Sequence, residues 1–331
     1  MNIQSRLLIF SSAILFLFTS VSLSCISGPT RTTEEFVVTD NPTWQRHPAI
    51  SAGVVVWQER DESLNDNIQA YAFEDKAELT ICSSPSLEND PDISGRTVVW
   101  ADNREGDWDI YGYDIETGWE FYICKKPGDQ TKPAIAGDIV VWVDERNGNP
   151  DIYGYNLETD SEFAICTDPD EQDNPDISRN IVVWEDVRNG NWDIYSYDIL
   201  SESERQITDR LNGQRYPSVS SSTVVWVDGR NESSDIYGYD LEIGDEFPIC
   251  TDSAEQQSPA VDGNMAVWRD RRHGNWDIYA SDLASPEEFA ICTDSAEQWH
   301  PAISGNTVVW MDKRNGNWDI YGAHIVWEEE E

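Results

Sequence analysis

The chain has 331 residues, 63 of them acidic and 22 basic, for a formal charge of −41. Phosphate binding needs a net basic surface, so nucleic acid is excluded as a partner and an anionic membrane surface is disfavoured with it. Apolar residues reach 39% and aromatics 11%, with 15 Trp, a content that a disordered acidic chain lacks, so the chain folds.

The first residues read as a leader. Arg6 is the lone charge ahead of Leu7 to Leu23, an apolar run with Ser and Thr interspersed, and Ser24-Cys25 follow. The run is short for a membrane span, which takes roughly 20 residues. Residues 1–25 are therefore expected to be an export signal, with a retained anchor as the alternative. Ser22-Leu23-Ser24-Cys25 resembles a lipoprotein cleavage box whose Leu stands one place nearer the Cys than usual, which makes Cys25 a candidate for lipidation. Membrane contact is expected only through this N-terminus. Residues 26–33 read as a tether and 328–331 as an acidic tail.

Residues 34–327 repeat one pattern seven times. Val-Val-Trp ends at Trp57, Trp100, Trp142, Trp184, Trp226 and Trp310, and Ala-Val-Trp at Trp268, with intervals of 43 and then 42 five times. A proline precedes each Trp by nine residues, from Pro48 to Pro301. Asp-Ile-Tyr follows in six copies, with Asn67-Ile68-Gln69 in the first. Within the third copy, Pro133 to Ala136, Ile139 to Val143, Asp151 to Leu157 and Glu162 to Cys166 read as four short strands separated by polar turns. Four strands in about 42 residues is the arithmetic of a β-propeller blade. The last copy lacks its fourth strand, and Glu35-Phe36-Val37-Val38-Thr39-Asp40 matches the missing phrase. The expected fold is all-β, a single seven-bladed propeller closed by the N-terminal strand, which removes open sheet edges.

The stretches Trp184 to Asp198 and Trp310 to Tyr321 resemble TolB-type β-propeller repeats, and are most similar to the propeller repeats of archaeal cell-surface proteins. The likeness covers residues 34–327. It implies blade structure and says little about function. The chain departs from TolB in its count of seven, in lacking a Ser-Pro-Asp-Gly turn, and in having no N-terminal helper domain, so TolB's partner contacts do not carry over.

Residues repeated in every blade are expected to build the scaffold. The seven tryptophans read as packing between blades. The turn pairs Asp102/Arg104, Asp144/Arg146, Asp186/Arg188, Asp228/Arg230, Asp270/Arg272 and Asp312/Arg314 invite a calcium reading. Arg stands where such a loop needs a second oxygen ligand, so an Asp–Arg pair holding the turn is preferred. Cys82, Cys124, Cys166, Cys250 and Cys292 follow the same period, with Thr208 and Thr39 in the remaining slots. Equivalent outer-strand positions lie beyond disulfide reach, so these read as buried free thiols, Cys166 on one sheet face and Ile165 on the other. Unpaired thiols in an exported protein point to a reducing habitat.

Function is expected where the copies differ. The residues just before the prolines, His47, Asp90, Lys132, Asn174, Tyr216, Ser258 and His300, should stand near the central mouth. Trp299 falls one place earlier, beside His300. Trp108, Trp192, Trp276 and Trp318 occupy turns between second and third strands, where an exposed indole stacks on a sugar or covers a partner, or else lies over a neighbouring Arg by cation–π attraction; local packing is the preferred reading. His47 and His300 become neighbours if the ring closes, and with Asp90 they would form a transition-metal set, a reading held below ordinary hydrogen bonding. No cofactor is expected. No Gly-x-Ser-x-Gly, His-Glu-x-x-His or phosphate loop is present. The leading expectation is therefore a non-enzymatic exported cell-surface scaffold binding a cell-envelope protein or glycan. A glycan-binding lectin and a polysaccharide hydrolase or lyase acting in the mouth are the alternatives.

Overall fold

The structure, a computed structural model, describes residues 31–327. The expected signal, Cys25, most of the tether and the acidic tail lie outside the described residues. Twenty-eight strands form seven four-stranded antiparallel sheets, a seven-bladed β-propeller. In the third blade the strands are Gln130–Ala136, Ile139–Asp144, Asp151–Asn156 and Ser161–Cys166, running from the centre outwards. The innermost strand begins three residues ahead of Pro133, earlier than the proline led one to expect. Proline has no N–H to give the ladder, and the register shifts between Thr131 and Ala134 to step past it.

The strand Arg31–Thr39 pairs with Asp319–Trp327 and completes the seventh blade. It starts at Arg31, three residues inside the segment expected to be a tether. The seam between the seventh and first blades is bonded like the others. Gln45 N–H donates to Trp318 O at 2.8 Å, as Gln130 N–H donates to Trp108 O at 2.7 Å and Gln214 N–H to Trp192 O at 2.8 Å.

The seven repeated tryptophans are fully buried, each against the preceding blade. Trp142 packs on Val99 and Ile110 of the second blade, and Trp57 packs on Val309 and Ile320 of the seventh. From Trp100 onward, each indole N–H donates to the Asp two residues later, at 2.8 Å for Trp142–Asp144. Trp57 is the exception. Glu59 replaces that Asp, Trp57 Nε1 has no partner among the described residues, and Arg60 pairs with Asp66 at 2.7 Å instead.

The turn pairs form one repeated device. Arg146 Nη2 sits 2.5 Å from Asp144 Oδ2, Nη1 is 2.6 Å from Glu162, and the guanidinium lies 4.2 Å from the Tyr153 ring centroid. The same Nη2 donates to Cys124 Sγ of the preceding blade at 3.2 Å. The Asp oxygens are thus engaged by Arg and Trp, as the structural reading of the pair required. In the seventh blade, Glu35 of the closing strand supplies the outer carboxylate, 3.0 Å from Arg314.

All five periodic cysteines are free and buried. Burial pushes the thiols of Cys82, Cys124, Cys166 and Cys292 up to about 12, and that of Cys250 upward as well. One expectation fails. Ile165 and Cys166 do not face opposite ways, because a bulge breaks the alternation and both join one cluster.

Candidate functional site

Each innermost strand carries its proline just after a non-glycine residue in the left-handed region. The φ values are 50° for His47, 52° for Asp90, 51° for Lys132, 48° for Asn174, 54° for Tyr216, 51° for Ser258 and 48° for His300. Such backbone costs on the order of 1–3 kcal/mol per residue and persists only where the surroundings impose it. Here the bulge imposes it. The outcome is geometric: all seven side chains line the central mouth, a cavity of about 590 Å³.

Carboxylates tie down two of the basic side chains in the mouth, His47 and Lys132. His47 Nδ1 lies 3.2 Å from Asp90 Oδ1, and its ring centroid is 5.0 Å from that of His300. For Asp90, burial works against ionisation, but the His47 hydrogen bond and the charges of His47 and Lys132 outweigh it and hold the carboxyl low. Burial, reinforced by His47 and Arg269, pushes His300 down to about 3, so its imidazole is neutral at ordinary pH. Lys132 Nζ reaches Asp173 at 2.6 Å and Asn174 Oδ1 at 2.8 Å. His47, His300 and Asp90 do converge. Among the described residues only Cys82, Glu88 and Asp102 bring three potential ligand atoms within 4.8 Å of one another.

The four turn tryptophans do not stand free. Trp276 is 8% exposed and the other three are half-buried. Arg215 covers Trp192 at 4.7 Å, Arg269 covers Trp276 at 4.5 Å, and Trp318 packs 5.3 Å from Trp299. Their backbone carbonyls at Trp108, Trp192, Trp276 and Trp318 accept the next blade's Gln N–H, which fixes them as seam residues. The most exposed aromatic side chains lie elsewhere, at Trp119 and Tyr122 on the outer strand of the second blade, 66% and 67% exposed.

Several residues in or directly behind the mouth escaped the sequence reading. The position after each repeated Trp holds Gln58, Glu185 and Arg269 in the first, fourth and sixth blades, and apolar residues in the others. Glu185 accepts from Asn174 Nδ2 at 2.7 Å and Arg215 Nε at 3.1 Å. The position after each proline places Asp92, Asp176 and Ser218 where the mouth meets the channel below it. Burial raises both carboxyls, Asp92 to about 7 with the Asp176 charge adding to it. Variation among copies was the available signal, and it extends one residue beyond the proline and one beyond the Trp.

No family model and no curated protein matches the sequence. Solved structures do. TolB from Acinetobacter baumannii superposes with a TM-score of 0.57 at 17% identity over 76% of this chain, and the chain spans 66% of TolB's length. Oligogalacturonate lyase from Vibrio parahaemolyticus gives 0.66 at 13% identity, covering 90% of this chain and 98% of the lyase. The β-propeller domain of the Trilobed protease from Pyrococcus furiosus gives 0.69 at 14% identity, covering 87% and 96%. That domain is described as having an open velcro topology, whereas here the strand from Arg31 closes the ring. At these identities the likeness establishes a TolB-like propeller fold.

Proposed function

We propose that this chain is a non-enzymatic, exported cell-surface propeller that binds a cell-envelope partner, protein or glycan, through its central mouth. One observation carries the reading. Every periodic side chain is consumed in packing, turn pairing or seams, while the seven side chains that the bulges aim into the mouth are almost all different. A scaffold that repeats its structure and varies its mouth concentrates recognition there.

The termini fit this arrangement. Arg31 pairs with Trp327 at the end of the seventh blade opposite its mouth end, where Thr39 pairs with Ile320. A leader or lipid at Cys25 would thus tether the face away from the mouth and leave the mouth pointing outward. An archaeal surface, the setting of the repeats that the sequence resembles, belongs to this reading. The test is capture from solubilised cell envelope by the immobilised protein. Intact protein retains a partner, and His47→Ala/His300→Ala protein does not. Equal capture by both would refute the mouth as the site.

One observation favours an enzyme instead. A carboxylate-bonded imidazole at His47 beside a neutral imidazole at His300 is an acid–base arrangement in a cavity. Incubation with polysaccharides, followed by end-group analysis, decides between the two. Chain cleavage lost in the double variant would replace the scaffold reading.

A further inference from the structure

Most basic side chains at and around the mouth have a carboxylate partner. Arg46 is bonded to Asp66 at 3.0 Å, His47 to Asp90 at 3.2 Å, Lys132 to Asp173 at 2.6 Å and Arg215 to Glu185 at 3.1 Å. Arg269 differs. Its Nη2 donates to the neutral Gln257 Oε1 at 2.5 Å, and its Nε and Nη1 find no acceptor among the described residues. Glu255 and Glu297 reach it only through space. Trp276 and Trp299 hold the guanidinium at 4.5 and 4.6 Å from their ring centroids, so its position is set before any ligand arrives. In a protein of charge −41, an unpaired cation on a cavity wall is conspicuous.

The surroundings of Arg269 are polar and neutral. His300, Ser258 and Tyr216 line the cavity on the same and adjoining blades and offer hydrogen-bonding groups, and Tyr216 is 47% exposed. Asp92 and Asp176 line the cavity on blades across the mouth, each with a carboxylate oxygen already accepting from a backbone N–H, Ile135 and Val219 respectively. We infer that the mouth takes a carboxylate carried on a hydroxylated ring, the chemistry of an acidic sugar, with Arg269 as its counter-ion. The inference rests on the mouth being the binding site. A carboxylate in the cavity supplies the counter-charge that the fold leaves out, acting across short range because Nε and Nη1 are themselves closed to solvent and Nη2 is bonded to Gln257. Ring hydroxyls find the neutral donors and acceptors, and an aromatic face supports the apolar side of the sugar.

Calorimetric titration with an oligogalacturonate, the corresponding neutral oligosaccharide, and a peptide with a free C-terminal carboxylate tests this. The acidic sugar should bind, with the neutral sugar and the peptide at least about tenfold weaker, which corresponds to about 1.4 kcal/mol. Arg269→Gln should weaken the acidic sugar by a similar factor, and Arg269→Lys should retain part of the affinity. Near-ultraviolet circular dichroism confirms that both variants keep their Trp packing. Binding unchanged in Arg269→Gln, preference for the peptide, or no acidic-sugar binding by intact protein each overturns the inference. If envelope capture still depends on His47 and His300 in those cases, the mouth reading stands and only the ligand class is wrong.

Discussion

Phe36, on the first described strand, packs its ring over Gly322, on the last. A Cβ built on Gly322 would meet Phe36 Cζ at 2.5 Å, as one on Gly154 would meet Phe163 at 2.7 Å. The closing strand thus fills the seventh blade by the contact that fills the third. Deleting Glu34 to Asp40 removes this contact together with the Glu35–Arg314 pair, and should abolish cooperative thermal unfolding or lower its midpoint sharply. Phe36→Ala alone, at a half-buried site, should cost about 2 kcal/mol. A truncated protein that melts like the intact one would contradict closure.

Glu88 stands where six other blades carry Gln, each of which donates to a loop carbonyl, as Gln130 does to Gly128 at 2.8 Å. Glu88 is 0% exposed and its Oε2 has no partner among the described residues. Burial raises its carboxyl to about 7, Asp102 adding to the rise and the Ser84 and Ser86 hydroxyls opposing it. A carboxyl raised on folding contributes its full stability below its unfolded value near 4.5, and loses it as pH climbs to about 7. Glu88→Gln should therefore match the parent at pH 4 and exceed it by up to about 3 kcal/mol at pH 8. Denaturant titrations at the two pH values measure the difference. A pH-independent gap would contradict the assignment.

The periodic thiols should be silent in the native state. Burial and a thiol pushed up to about 12 leave little thiolate at pH 8. A thiol reagent should label none of the five in folded protein and all five after denaturation without reductant. Mass-spectrometric detection of a disulfide among them would overturn both the packing and the reducing habitat read from the sequence.

The architecture was legible because a 42-residue period, a proline and a Trp per copy, and the Glu-Phe phrase at the N-terminus are local signals. The same signals, together with ring closure, are enough to put His47 and His300 side by side. What escaped depends on pairing between strands. The bulge that turns His47 into the mouth arises from how its strand registers on the next, and so does the bulge that puts Ile165 and Cys166 in one cluster. The sequence reading prefers local packing for the turn tryptophans over their standing free, and Trp276 under Arg269 and Trp192 under Arg215 fit that preference, but which Arg covers which indole depends on strand pairing. Arg269 was passed over because it follows a repeated Trp, in a position that is apolar in four blades. Its value as a site comes from two indoles more than five residues away in sequence.

The most direct measurement compares partner affinity for two surfaces of one fold. His47→Ala/His300→Ala alters the mouth, and Trp119→Ala/Tyr122→Ala removes the largest exposed aromatics, on the outer edge of the second blade. Both should melt close to the parent, since neither pair lies in the buried core. If the mouth is the recognition site, the histidine variant loses envelope-partner affinity by about tenfold or more and the edge variant binds as the parent does. Normal binding by the histidine variant with loss in the edge variant would contradict it.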